Sequence, residues 1–477
     1  MKKILSIKQK RFFKIFFLIL TILFLLNLLI SCHGSKSITD TVWNEVPQIL
    51  KLINKPVFQD QEYSILNYGA IGDGKTDCTE AFRTAIEHCH LSGGGKVVVP
   101  EGIYLTGAIH LKSNVNLHIT KNATILFSQD TKKFLPTVYT RFEGVECINY
   151  SPFIYAFGQQ NIAITGSGTL DGQASTENWW SWKGRKEYGW DIGEPNGNND
   201  IDRLFRIAEE GQDVEERIFG EGYHLRPNFI QPYKCNNILI DSITIKNSPM
   251  WVIHPVLCNN VTIQNVTVIS HGPNNDGCNP ESSKNVWIKN CYFDTGDDCI
   301  AIKSGRNADG RRINVRSENI VIQKCTMKDG HGGVVIGSEM SGNVRNIFAE
   351  DCIMDSPNLE RVLRIKTNSV RGGIVENVYL RNCTIGEVSE AIIKINFNYS
   401  EGDRGNFTPV VRSIYINNIN SKKSTYALFL QGYERSPISD LVLENCNFNN
   451  VKEGNLLYHY RNLTMKNVYI NEKLQEN

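Results

Sequence analysis

Asp276, Asp297, Asp298 and His331 are the residues of this chain whose types and spacing point most directly to chemistry. They occur in Asn274-Asn275-Asp276-Gly277, Thr295-Gly296-Asp297-Asp298-Cys299 and Gly330-His331-Gly332, and a fourth polar group, Arg364-Ile365-Lys366, follows. Adjacent aspartates before the apolar run Cys299-Ile300-Ala301-Ile302 repel each other and lose solvation, so their pairing needs a reason. Three crowded carboxylates raise at least one pKa, which lets one acid stay protonated while another is ionised. Glycosidic bond cleavage requires that combination: an acid protonates the leaving oxygen, while a base activates water or a carboxylate attacks. A polar turn or a calcium site is the blander use of such a pair. Both side chains can face one cleft only if the chain bends, because consecutive residues of a flat strand point to opposite faces; Gly296 is placed to supply the bend.

The clusters lie 21 to 33 residues apart, so an architecture must gather them. An internal repeat provides it. Asn237-Ile-Leu-Ile-Asp-Ser-Ile recurs at Asn260, Asn285, Asn319, Asn346 and Asn377, and more loosely at Ser413 and Asp440, with 23 to 36 residues between copies. Apolar and polar residues alternate within each copy, the pattern of a strand with one buried face. Short strands at this spacing, with no helices between them, predict an all-β, single-domain, right-handed parallel β-helix over residues 63–472, with coils stacked about 4.8 Å apart. Four polar clusters on successive coils then span about 14 Å of one face, a length suited to two or three sugar rings.

The repeat also accounts for the thiols. Cys291, Cys325, Cys352, Cys383 and Cys446 each fall six residues after a repeat start and predict an interior column rather than disulfides. Cys78 and Cys89 sit about 16 Å apart along a predicted helix, too far to pair. The residue before this column position is often Asn, at Asn265, Asn290, Asn382, Asn418 and Asn445, which predicts a ladder of stacked amides. Asp77 and Glu80 predict a capping box for an amphipathic helix carrying Ala81, Phe82, Ala85, Ile86 and Cys89, which plugs the open N-terminal end of the stack. Gly72-Asp73-Gly74 and Gly93-Gly94-Gly95 are turns, since no Gly-Lys-Ser/Thr ending makes them a phosphate loop. Residues 173–226 break the repeat and form a large insertion with four of the seven tryptophans, Trp179, Trp180, Trp182 and Trp190. Those rings serve either as the insertion's own core or as walls of a sugar-binding cleft.

Six basic residues precede a 16-residue apolar run, Ile15 to Ile30, so residues 1–31 read as an export signal. The run stops at Leu29-Ile30-Ser31-Cys32, similar to the lipobox of bacterial lipoproteins, which implies lipidation of Cys32 and a body exported and anchored in the bacterial cell envelope, on the outer membrane, facing the periplasm or the surface. Residues 32–62 then form a tether with a short helix. Removing 1–31 leaves 45 basic against 50 acidic residues, and this mildly acidic balance argues against a nucleic-acid partner. A polyanionic substrate must therefore be held by local cations, of which Lys303, Arg306, Arg311, Arg312, Arg361, Arg364 and Lys366 cluster in sequence around the acids.

Asn-Asn-Asp-Gly, Gly-Asp-Asp-Cys, Gly-His-Gly and Arg-Ile-Lys, in this order and spacing, resemble the four motifs of glycoside hydrolase family 28, the polygalacturonases of pectin breakdown. The resemblance covers about residues 63 to 470. It implies hydrolysis of α-1,4-galacturonosidic bonds in polygalacturonate by a single inverting step, with Asp297 as general acid and Asp276 and Asp298 holding and deprotonating the attacking water. It further implies that His331 assists the acids, that Arg364 and Lys366 hold a substrate carboxylate, and that Tyr399 and Asn274 contact substrate, with no metal or other cofactor. The first motif departs from the usual Asn-Thr-Asp at Asn275, and Asn279 stands where many relatives carry Asp. A rhamnogalacturonan hydrolase, a pectate lyase and a β-helix that only binds polysaccharide are the competing readings. The insertion at 173–226, if it closes one end of the groove, favours attack at a chain end.

Overall fold

The structure, a computed structural model, describes residues 42–475, so the export segment and Cys32 lie outside the described residues. A short N-terminal unit ends at Gln48 and the main unit begins at Ile49, with helix α1, Glu45–Lys51, crossing that boundary.

Among the described residues of the main unit, 30 strands join one hydrogen-bonded sheet. The repeats align in register as the period-two pattern requires. Ile238, Val261, Val286, Ile320, Ile347, Val378, Ile414 and Leu441 each pair with the next, one residue per coil, all buried in the core. The expected thiol column is present: Cys291, Cys325, Cys352, Cys383 and Cys446 are buried and free, and the Cys325 and Cys352 thiols contact the thiols on either side.

The amide ladder differs from expectation. Before the column position it is interrupted, with Asn290 bonded to Asn265 at 3.4 Å and Asn418 to Asn382 at 2.8 Å, because Lys324 and Asp351 occupy the same position in the coils between. The longer ladder runs through the first residue of each repeat, where Asn319, Asn346 and Asn377 each donate to the amide oxygen one coil back at 3.1 Å. These asparagines adopt left-handed backbone, with φ of 56 to 59°, a conformation that Asn tolerates better than other side chains.

Helix α2, Thr79–Leu91, buries Ala81, Phe82, Ala85, Ile86 and Cys89 against the first coils and closes that end of the core. Its capping box is only half formed. Asp77 Oδ1 accepts from the Thr79 amide at 2.9 Å, but Glu80 turns outward to Arg83. The insertion leaves the stack after Thr169–Asp171, holds helix α3, Asn198–Glu209, and rejoins at Ile230–Tyr233. A second helix, α4, Asn307–Ile313, interrupts the coils where none was expected. Its Asp309 takes Arg217 of the insertion at 2.8 Å and the Glu146 amide at 2.8 Å, so α4 ties the insertion to the stack.

One face of the stack concerns function. Its successive coils meet at Ile230, Ile253, Cys278 and Ile300, then at Val334, Leu363 and Ile393. The last four lie on β1, Ile300–Ile302, β2, Val334–Gly337, β3, Arg361–Lys366, and β4, Ala391–Asn396.

Candidate active site

Each acid stands just before the residue that pairs across this face. Asp276 precedes Cys278, Asp297 and Asp298 precede β1, and His331 precedes β2, so coil stacking converts sequence offsets into adjacency. Backbone bonds fix the arrangement: the Gly277 amide donates to Asp298 O at 3.0 Å and the His331 amide to Asp297 O at 3.1 Å. Gly296 does mark the bend, and a Cβ there would lie 2.5 Å from the Gly272 carbonyl oxygen. Arg364 and Lys366 alternate along β3 and project on the same side.

A cavity of about 340 Å³ opens on this face. Asp276, Asp297, His331, Arg364, Lys366, Tyr399 and Asn274 all line it. Asp298 is gathered with them but is wholly buried, its two oxygens taken by Lys366 Nζ at 2.7 Å and Arg364 Nη1 at 3.3 Å. Tyr399 spreads its ring over both cations, 5.6 Å from the Arg364 guanidinium and 5.4 Å from Lys366 Nζ. Asn274 has its oxygen committed to Lys183 at 2.9 Å and Arg226 at 2.8 Å, so it positions cations of the insertion.

The ionisation of the acids follows from their neighbours. Burial pushes Asp276 well above the ordinary carboxylate range, and the charges of Asp297 and Asp298 push it further, against the pull of Lys303 at 3.6 Å. Burial also opposes ionisation of Asp297, yet the His331 hydrogen bond, Nδ1 to Oδ1 at 3.0 Å, and the charge of Lys366 hold it below the usual range. The same bond raises His331 to about 8. The environments thus push the two acids apart, Asp276 toward its protonated form and Asp297 toward its carboxylate beside His331.

Two departures in the sequence acquire a structural reason. Asn275 is fully buried and locks its own loop: its oxygen accepts from Ser270 Oγ at 2.5 Å and the Gly272 amide at 2.9 Å, and its amide donates to Met250 O at 3.2 Å. Asn279 donates to Asp276 Oδ2 at 2.7 Å, a bond that an Asp could supply only when protonated.

Of the cations expected around the acids, Lys303, Arg306, Arg364 and Lys366 line the cavity. Arg311, Arg312 and Arg361 do not line it; Arg312 pairs with Glu146, while Arg361 and Arg311 donate to the backbone carbonyls of the lining residues His331 and Arg371 at 2.9 and 3.2 Å. Glu339 was not foreseen: it takes Lys303 at 2.9 Å and Arg306 at 3.6 Å, steadying the cations behind Asp276. Its position just after β2 is the one signal the chain offers. The insertion's tryptophans are packing residues. Trp179 is buried against Phe134, Phe153 and Trp182, and the indole N–H groups of Trp180 and Trp190 donate to the Ser248 and Glu194 carbonyls. The tryptophan in the cavity is Trp251, with Lys303 Nζ 4.3 Å from its ring centre.

The sequence profile described as Glycosyl hydrolases family 28 matches residues 217–469. The chain is 28% identical over 398 residues to a probable polygalacturonase of Vitis vinifera, covering 80% of this chain and 73% of that protein. It is 24% identical over 486 residues to the exo-poly-alpha-D-galacturonosidase of Dickeya chrysanthemi, covering 91% and 77%. Among solved structures, a hyperthermoactive exopolygalacturonase from Thermotoga maritima matches with a TM-score of 0.88 and 47% identity, over 92% of this chain and 98% of that one. Fold, gathered acids and relatives together define a β-helical glycoside hydrolase. The chain belongs to glycosyl hydrolase family 28.

Proposed function

We propose that this enzyme hydrolyses α-1,4-galacturonosidic bonds of polygalacturonate, working from a chain end. The observation that carries the reading is a single cavity lined by a partly buried carboxyl, Asp297, a buried carboxyl whose pKa is pushed up, Asp276, and a pair of cations, Arg364 and Lys366, suited to a sugar carboxylate. The relatives that are polygalacturonases support the substrate, and the exopolygalacturonase of Thermotoga maritima supports the direction of attack. So does the lining of the cavity by Lys183, Arg185 and Tyr188 of the insertion on the N-terminal side. A calcium-dependent lyase fits less well, because Lys303, Lys366 and Arg364 already neutralise the acids a divalent cation would need.

Asp297 is the general acid in this reading. As substrate enters, Asp276 gives up a proton and Asp297 gains one, with water between the two acids relaying it: an O–H bond breaks on Asp276 and one forms on Asp297. Asp276, relieved of the charge beside it, becomes the base for water, while Asp298 keeps Arg364 and Lys366 in place. Asp297 then protonates the leaving oxygen as water attacks from the opposite side of the ring in one inverting step.

Asp297→Asn is expected to lower the release of reducing ends from polygalacturonate by about 10²–10⁴-fold with substrate binding retained. Near wild-type turnover in that variant would remove the acid assignment. The leader ending at Leu29-Ile30-Ser31-Cys32 supports a lipid anchor on Cys32 and display on the cell envelope. Cys32→Ala is expected to move the activity out of the membrane fraction, and a variant that stays there refutes the anchor.

A further inference from the structure

The proposed step leaves unused a second set of cations, which faces the acids from the insertion side. Lys183 ends the short turn Ser181–Lys183 and lines the cavity, with its ammonium 2.9 Å from Asn274 Oδ1. Arg226, 2% exposed, reaches the same oxygen at 2.8 Å and donates to the Pro249 and Pro273 carbonyls at 2.8 and 2.6 Å. All these partners are neutral. Burial lowers the basicity of both groups, of Arg226 to about 10, and Glu143, the acid that acts on them most, already pairs with Arg306 at 3.5 Å. Across the cavity, Arg364 and Lys366 meet an internal carboxylate, Asp298.

Cations withdrawn from water without a counter-ion are unfavourable unless something brings the missing charge. Lys183 opens to the cavity, so a ligand can bring it. Arg226 behind it adds to the same positive corner, while the exposed Arg185 nearby pairs with Glu187 at 3.5 Å.

We propose that Lys183, backed by Arg226, forms a second carboxylate subsite that takes the uronate group of the terminal sugar on the insertion side of the scissile bond. Arg364 and Lys366 hold the sugar on the other side. The proposal deepens the chain-end reading and rests on it. It makes the insertion a specificity element: the end sugar must be a free acid, because a methyl ester leaves Lys183 without its counter-charge.

The test uses trigalacturonate methyl-esterified on one end sugar only, with both regioisomers compared with the free acid on wild-type enzyme, Lys183→Met and Lys183→Arg. For wild type, one regioisomer is expected to lose at least about tenfold in kcat/KM. In Lys183→Met the free acid falls to the level of that ester and the penalty disappears, whereas Lys183→Arg keeps it. An unchanged unfolding midpoint for Lys183→Met confirms that the fold is intact. If neither regioisomer is penalised in wild type, or if Lys183→Met keeps the penalty, the subsite is refuted. A wild-type enzyme that releases no galacturonate from polygalacturonate overturns the underlying reading instead, so the two failures are distinct.

Discussion

The cations on the two flanks of the acids differ in what neutralises them. On β3, Arg364 and Lys366 share Asp298, so the two positive charges of that flank meet one carboxylate within the protein. On the insertion, Lys183 and Arg226 share an amide oxygen of Asn274, and that flank is left positive. A flank with its own internal counter-ion is built before substrate arrives and positions it; one without gains most when the substrate's own charge completes it. The difference follows from origin. Residues on coils are held in register by the sheet, so Asp298 and β3 meet at fixed separation, whereas the insertion reaches the cavity from outside that register.

Removing one cation from each flank breaks this comparison most sharply. Lys366→Met leaves Asp298 buried with only Arg364 at 3.3 Å, so it is expected to lose about 3 kcal/mol of stability together with most of the activity. Arg226→Met leaves no buried anion behind, only the Pro249 and Pro273 carbonyls, and is expected to lose about 1–2 kcal/mol. Equilibrium denaturation of the two variants tests the order. An equal loss in both would mean that Arg226 meets a counter-charge within the protein after all.

The same distinction decides how much of the molecule was legible in its sequence. The coils and the interior thiol column followed from apolar alternation and repeat spacing, because a strand that buries one face must show period two. Asp276, Asp297, Asp298 and His331 could be brought together from their offsets alone, since stacking turns one repeat of sequence into one coil of height. The burial of Asp298 could not, because it depends on Arg364 and Lys366 reaching back across the coil that carries His331. Lys183 was invisible as a site residue: residues 173–226 have no repeat to register them. Helix α4 was missed for a related reason, its seven residues being held by insertion contacts such as Arg217 to Asp309 and not by an apolar stripe. The long amide ladder was hidden because Asn at a repeat start reads only as the end of a turn, while its left-handed backbone is a property of the coil.

On the β3 side, Asp298 draws on Arg364 and Lys366, while Asp297 draws on the titratable His331 as well as Lys366, and this finer contrast carries the smallest predicted effect. His331 lies above its ordinary value of 6.5, at about 8, because its bond to Asp297 favours the imidazolium. A histidine raised on folding binds its proton more tightly in the native state, so its contribution is complete below about pH 6.5 and disappears as pH rises through about 8. The ring is half exposed, and solvent screening keeps that contribution modest. Thermal midpoints of wild type and His331→Gln, compared from pH 6 to pH 9, are expected to differ most at the acid end and to converge above about pH 8. Lys366→Met should show no such convergence against wild type, because its partner loss does not titrate in that window. A His331→Gln difference that stays constant across the range would mean that Asp297 is held by fixed dipoles and charges, and that its proton is governed from the Asp276 side alone.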